Sequence, residues 1–121
     1  MGEGENAKRY DLEDRTFQFA KRVRDFARQL PRTLSNIEDV KQLVRASGSV
    51  GANYIEANEA LSKKDFVVRI KICRKEAKEC RFFLRLIDTG DGAALRTESQ
   101  GLSGEAQELT NIFGAIVRKS E

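Results

Sequence analysis

The sequence predicts an all-α protein, an antiparallel up-down four-helix bundle formed by residues 11–121 after a flexible N-terminal segment, residues 1–10. Apolar residues recur at intervals of three and four along four segments, and no segment shows the alternation of a β-strand. The single proline, Pro31, ends the first of these segments. A chain of 121 residues is long enough to bury one hydrophobic core as a single domain.

The first helix is predicted over residues 12–30, with Asp11 as its N-cap. Its core-facing positions are Thr16, Phe19, Ala20, Val23, Phe26, Ala27 and Leu30. The second helix is predicted over residues 36–60, because Ser35 and Glu38 have the spacing of a capping box. Its core stripe is expected at Ile37, Val40, Val44, Ser47, Gly51, Tyr54 and Asn58.

The centre of the second helix is rich in small residues, since residues 46–52 read Ala-Ser-Gly-Ser-Val-Gly-Ala. Two glycines inside a helix cost about 1 kcal/mol each relative to alanine. Close approach of a neighbouring helix would offset this cost, and we favour that interpretation. The alternative is a loop across residues 47–51.

The third helix is predicted over residues 63–88, with Ser62 and Asp65 as its capping signature. Its core positions are Phe66, Ile70, Cys73, Ala77, Cys80, Leu84 and Ile87. Residues 89–101 contain three glycines and no sustained period, which indicates a mobile connection. The fourth helix then spans residues 102–119, with its core at Leu102, Ala106, Leu109, Phe113 and Ile116.

The composition argues against an enzyme. Histidine is absent, which removes the commonest general base, the Ser–His and Cys–His nucleophile pairs and the usual iron site of ferritin-like bundles. Residues 48–51 lack the spacing and the lysine of a phosphate-binding loop. We therefore expect a non-enzymatic protein without a cofactor.

Metal and disulfide sites are not favoured either. Cys73 and Cys80 are seven residues apart on one helix, about 10.5 Å between Cα atoms, which exceeds disulfide reach and indicates reduced core thiols. A carboxylate-only metal site from Glu56, Glu76 and Glu79 is the alternative, but acids in helical bundles usually pair with neighbouring bases. We expect no metal.

Hydropathy indicates a cytoplasmic protein that does not enter a membrane. No stretch approaches the roughly 18 apolar residues of a membrane span. Residues 1–8 are polar and lack the apolar core of a signal peptide.

Positive charge is concentrated on the third helix. Residues 1–88 carry 19 basic and 14 acidic side chains, whereas residues 89–121 carry 3 and 5. At 100° per residue, one band about 21 Å long contains Lys71, Arg74, Lys78, Arg81 and Arg85. This basic band is suited to follow a nucleic-acid backbone. The alternative is a solvated face on which Glu76 and Glu79 pair with nearby bases.

The first helix can extend the basic band if it neighbours the third helix. Its solvent side carries Lys21, Arg24 and Arg28. A merged patch of both helices is therefore predicted to bind nucleic acid.

A second apolar face of the third helix predicts self-association. It consists of Val68, Ile72, Phe82, Phe83 and Leu86. Apolar surface that the fourth helix leaves uncovered favours a homo-oligomer.

Three stretches of the chain resemble one known family. Residues 42–57 read Gln-Leu-Val-Arg-Ala-Ser-Gly-Ser-Val-Gly-Ala-Asn-Tyr-Ile-Glu-Ala, residues 62–66 read Ser-Lys-Lys-Asp-Phe, and residues 75–79 read Lys-Glu-Ala-Lys-Glu. They are similar to the four-helix-bundle proteins encoded within intervening sequences of large-subunit ribosomal RNA genes. The resemblance covers about residues 11–119. Two positions depart modestly from the pattern. Ala46 stands where the family commonly has serine, and Phe83 stands where an aromatic residue, typically tryptophan, is expected.

The resemblance implies a ring-like homopentamer and a relation to the basic accessory protein of diversity-generating retroelements. That accessory protein binds nucleic acid and its reverse transcriptase, so the expected partners are the RNA or DNA backbone and a reverse transcriptase or another protein. The alternative function is a protein-interaction scaffold that binds no nucleic acid, with the basic band serving solubility.

Polar residues in the matched stretches are expected to form a structural network between the second and third helices. The network consists of Arg45, Asn53, Glu56, Glu76 and Glu79. Such a network fixes helix register, and removing one partner is expected to lower stability.

Overall fold

Four helices joined by short loops form the molecule, which is a computed structural model describing the backbone of residues 2–121 and the side chains of residues 11–121. The helices are α1 (Gly2–Arg28), α2 (Leu34–Asn58), α3 (Lys63–Leu86) and α4 (Ala93–Ser120). No strand occurs in the part of the chain that the structure describes. The predicted all-α class is confirmed.

The helices pack in a ring in which each contacts two neighbours. α1 contacts α2 and α4, and α3 contacts the same two helices, whereas α1 and α3 do not touch within the described chain. α1 and α3 therefore occupy diagonal corners of the bundle. Arg15 on α1 bonds Glu105 on α4, and Arg22 bonds Glu98, so these two helices run antiparallel. The antiparallel up-down arrangement is confirmed.

Two predicted helix starts are wrong. α1 continues through Asp11, which is therefore not its N-cap. Glutamate, alanine and lysine in residues 2–10 favour helix, but the segment has no apolar period by which the sequence could predict it. α2 begins at Leu34, because the Thr33 hydroxyl and not Ser35 accepts the N-cap hydrogen bond. The flexibility predicted for residues 1–10 stays a prediction, because residue 1 and the side chains of residues 2–10 lie outside the part of the chain that the structure describes.

The predicted start of α4 is also wrong, since the helix begins nine residues earlier and includes most of the predicted connection 89–101. Tertiary contacts explain the difference. Leu95 packs against the core, Glu98 pairs with Arg22 on α1, and Ser99 donates to the carbonyl of Leu84 (3.5 Å). The remaining loop is residues 87–92, where Gly90 has a positive φ of 72° that favours glycine.

The core follows the predicted positions of α1 and α3 closely, and the Ser62 cap of α3 is confirmed. The core stripe of α2 is rotated from its predicted position. Ile37 is exposed, and the buried positions of α2 are Asn36, Leu43, Ala46, Ser47, Val50, Tyr54 and Ala57. At most positions the buried residue is the one that precedes the predicted residue, as Leu43 precedes Val44 and Val50 precedes Gly51.

The helical interpretation of residues 46–52 is confirmed, and close packing accounts for one glycine. A Cβ at Gly51 would lie 3.0 Å from Oγ1 of Thr16 on α1. Thr16 is buried and donates its hydroxyl to the carbonyls of Leu12 (2.9 Å) and Glu13 (3.0 Å), which fixes its side chain. A larger residue at position 51 would push α1 and α2 apart.

Asn36 joins two loops at one end of the bundle. Its buried amide donates to the carbonyls of Pro31 (3.0 Å) and Asp88 (2.8 Å) and accepts from the Asp88 amide (3.0 Å). The loop between α1 and α2 is thereby fixed to the residues that follow α3. Three hydrogen bonds satisfy a buried amide that would otherwise be costly.

We expect Gly51→Ala to lower the free energy of unfolding, because the steric conflict with Thr16 outweighs the roughly 1 kcal/mol of helix propensity that alanine adds. Gly104→Ala is the matched control. Gly104 lies inside α4, is exposed and has no atom within 4 Å of a Cβ position. Gly104→Ala should raise the free energy of unfolding, measured with urea, by about 0.5–1 kcal/mol. Equal stabilisation by both variants would show that α1 and α2 do not pack closely at Gly51.

Candidate nucleic-acid interface

The basic band of α3 lies on the side of that helix that faces α4. Arg74 passes beside Gly114 of α4, where a Cβ would be 3.8 Å from its Cδ, and Lys71 pairs with Glu121 at 3.2 Å. Arg74 is half-buried. The other four members are exposed, namely Lys71, Lys78, Arg81 and Arg85. The band therefore follows the groove between α3 and α4.

The acids of α4 point away from this groove. Glu105 bonds Arg15 on α1 at 2.7 Å, and Glu98 pairs with Arg22 on α1 at 3.2 Å. Glu108 also contacts Arg15, at 3.1 Å. Three carboxylates of α4 are thus used at the opposite side of the helix, and they do not neutralise the band.

The two acids in the middle of α3 are held by α2. Arg45 on α2 donates to Glu79 at 2.8 Å and to Glu76 at 3.3 and 3.4 Å, and Ser49 donates to Glu76 at 3.3 Å. The alternative in which these acids pair with bases of their own helix is not what the structure shows. Within residues 11–121, four bases of the band have no carboxylate oxygen within 4.0 Å: Arg74, Lys78, Arg81 and Arg85.

The Arg45 pair is asymmetric in burial. The Glu76 side chain is 7% exposed, while that of Arg45 is 51% exposed. Burial favours a higher pKa for Glu76, but the hydrogen bond from Arg45 and its charge outweigh burial and lower that pKa below its ordinary value. The same hydrogen bond to Glu76 raises the pKa of Arg45. Glu76 therefore remains ionised at neutral pH.

Four of the five predicted network residues lie together, namely Arg45, Asn53, Glu76 and Glu79. Ser49 links them, because Asn53 Nδ2 donates to its hydroxyl and its carbonyl, both at 2.9 Å. The inclusion of Glu56 in this network is wrong. Glu56 is exposed near the end of α2. The base that joins Asn53 to α3 is Arg69, which donates to Asn53 Oδ1 (3.0 Å).

The predicted merging of bases from α1 and α3 is also wrong. The two helices are diagonal in the bundle, so Lys21, Arg24 and Arg28 lie away from the α3 band. Arg24 donates to the carbonyl of Ala20 (3.0 Å) and to Ser47 of α2 (3.5 Å). Helical periodicity assigned each base to a face, but it did not determine which helices are neighbours.

A shallow depression of about 380 Å³ lies on the outer surface of α3. It is lined by Lys71, Arg74, Lys75, Lys78, Glu79 and Phe82. Lys75 and Phe82 lie outside the basic band that the sequence predicts. Lys75 follows Lys71 by four residues, and Phe82 follows Lys78 by four residues, so helical spacing places both beside the band.

The second apolar face of α3 is only partly exposed. Val68, Phe82 and Leu86 are exposed, as predicted. Ile72 and Phe83 are half-buried, and Phe83 packs against the core. The free apolar surface of α3 is accordingly smaller than the sequence suggested.

Both cysteines are free and buried, as predicted. Burial raises the pKa of each thiol to about 12, so both stay protonated at neutral pH. Among the described residues, no group of three or more histidine, cysteine, aspartate or glutamate side chains is arranged to hold a metal ion. No described helix is long and apolar enough to cross a membrane.

Comparison with known proteins identifies relatives of this fold. The family model of the 23S rRNA-intervening sequence protein matches residues 8–115, in agreement with the resemblance in the sequence. A crystal structure from Bacteroides thetaiotaomicron VPI-5482, described as a protein with unknown function from the S23 ribosomal protein family, is similar with a TM-score of 0.70 and 25% identity. The similarity covers 88% of this chain and 97% of that chain. No curated protein matches the sequence.

We expect Glu76→Gln to lower the free energy of unfolding by about 1–2 kcal/mol at pH 7, because it weakens the charged bonds to Arg45 and Ser49. The folded-state pKa of Glu76 is depressed, so its stabilisation is present above the ordinary value of 4.5 and is lost as pH falls through the folded-state pKa. Urea unfolding at several pH values should therefore show the two proteins converging in acid.

The matched control is Glu38→Gln, which removes an exposed pair with Lys41. Its effect should stay below about 0.5 kcal/mol at every pH. A similar loss in both variants, or a Glu76→Gln effect that is constant with pH, would contradict the role given to Glu76.

Proposed function

Because this chain belongs to the 23S rRNA-intervening sequence protein family, we propose that it is a non-enzymatic, oligomeric bundle that binds the backbone of RNA or DNA through the basic band of α3. One observation carries the proposal. Arg45 of α2 holds the two central acids of α3, so the bases of the band have no acidic partner on their own helix. We place this activity in the cytoplasm.

The distribution of charge supports binding to phosphate. The band extends about 21 Å along the helix axis, and neighbouring α4 turns its glutamates toward α1. A row of bases in which only Lys71 has a carboxylate partner among the described residues attracts polyanions and positions their backbone. Such binding releases counterions and weakens as salt increases.

Self-association would increase this effect. Leu61, in the loop between α2 and α3, is exposed, which supports a homo-oligomer, and the family resemblance favours a homopentamer. Several copies of a modest basic band on one assembly raise the apparent affinity for a long nucleic acid through multivalency.

The second candidate function is a protein-interaction scaffold. The exposed apolar residues Leu61, Val68 and Leu86 favour it, because such residues anchor protein partners, a reverse transcriptase among them. A partner that persists through nuclease treatment and high salt, and is lost in Val68→Ser and Leu86→Ser, would support this function. Loss of the partner on nuclease treatment would show that nucleic acid bridges the two proteins, which favours the first function.

We expect reversal of three exposed bases, Lys78→Glu, Arg81→Glu and Arg85→Glu, to abolish binding of labelled RNA and DNA in a fluorescence-anisotropy titration. For the unchanged protein, log K should fall linearly with log salt, with a slope of about −3 if four phosphates of a single strand are contacted. Light scattering on the same samples gives the oligomeric mass.

The matched control changes net charge equally on the other side of the bundle, with Lys21→Glu, Arg28→Glu and Arg32→Glu. All three residues are exposed, so the fold should tolerate the changes. Binding should be retained, with at most a small general loss. Equal losses in both triple variants would mean that net charge and not the α3 band governs binding. Failure of the unchanged protein to bind at low salt would refute the proposal.

A further inference from the structure

An exposed aromatic ring lies within the basic depression of α3. The Phe82 side chain is 57% exposed, whereas the adjacent Phe83 packs against the core. It packs against Phe83 in a T-shaped contact, with ring centroids 5.3 Å apart and an interplanar angle of 83°. In a T-shaped pair, one ring presents its edge to the face of the other, so at least one face of Phe82 is free of Phe83.

The charge around this ring is positive. The depression is lined by four bases and one acid: Lys71, Arg74, Lys75, Lys78 and Glu79. Arg45 holds the Glu79 carboxylate from the α2 side at 2.8 Å, so the acid is neutralised from outside the depression. An open aromatic face is thus surrounded by donors suited to phosphate groups.

We propose that the depression binds an unpaired base of a single-stranded nucleic acid, with the base stacked on Phe82 and the flanking phosphates held by Lys75 and Lys78. This inference rests on the proposed function and names the form of nucleic acid that the α3 band selects. Stacking on an aromatic side chain is tolerant of sequence, because every base has a π-face.

A duplex does not supply the same contact. Its bases are stacked on one another and present only their edges in the grooves, so a ring on the protein surface meets sugar and phosphate. An unpaired base, in a single strand or an RNA loop, has a face available for stacking. The combination of Phe82 with the surrounding bases therefore favours single strands, whereas the bases alone would not discriminate.

Phe17 provides a matched control within the same chain. Its side chain is 58% exposed and lies beneath Lys21, whose Nζ is 5.8 Å from the ring centroid. It lines a groove between α1 and α2 that contains Glu13, Lys21 and Arg24, not a cluster of four bases. Phe17 thus has the exposure of Phe82 without the cluster of four bases.

The experiment uses tryptophan fluorescence, since the chain contains no tryptophan. Phe82→Trp and Phe17→Trp each introduce a single fluorophore, and a stacked base quenches indole emission. We expect oligouridylate or oligothymidylate to quench Phe82→Trp, while a duplex bound to the same extent does not. Phe17→Trp should respond to neither. The two oligonucleotides separate RNA from DNA as the source of the base.

Affinity gives an independent readout. Phe82→Leu keeps an apolar side chain and removes the π-face, so it should weaken single-strand binding roughly 5- to 100-fold and leave duplex binding unchanged. Phe17→Leu should change neither. Circular dichroism on each variant confirms that the helices are retained.

Several results would overturn the inference. Single strands that bind without quenching Phe82→Trp, and lose binding only on charge reversal of the α3 band, would refute stacking and leave the proposed function intact. Equal quenching of both tryptophans would refute the assignment to the depression. A Phe82→Trp emission that shifts to the blue with protein concentration alone would place a second copy over Phe82. Absence of any binding at low salt would refute both proposals.

Discussion

The close approach of α2 to its two neighbours is the constraint on which the arrangement depends. On one side, Gly51 lies against the buried Thr16 of α1. On the other, Cys73 of α3 directs its thiol to the carbonyl of Val50 at 3.4 Å, and Ser49 bonds Glu76. Because α2 lies between α1 and α3, those two helices occupy diagonal corners, and the bases that each carries belong to separate surfaces.

The same contact between α2 and α3 determines the distribution of charge. Arg45 is half exposed, so its desolvation cost is modest, yet its guanidinium reaches both Glu76 and Glu79. The acids of α3 are consequently held on the α2 side, while the bases remain on the α4 side. The pair thus affects the surface potential of α3 as well as the stability of the bundle.

Features encoded locally could be predicted from the sequence, and features that depend on distant contacts could not. The core of α3 and its Ser62 cap follow from residues three or four positions apart. The start of α4 depends on Glu98 meeting Arg22 on another helix, and Asn36 bonds to Asp88, 52 residues away. The separation of the basic surfaces required knowledge of which helices are neighbours.

An oligomer that binds nucleic acid through α3 has to associate through a different face. Contacts over the outer side of α3 would cover Phe82 and the bases of the depression. Leu61 meets the condition, because it is exposed in the loop between α2 and α3 and does not line the depression. Association there would leave every α3 band free, so that the bands of one assembly can contact one strand together.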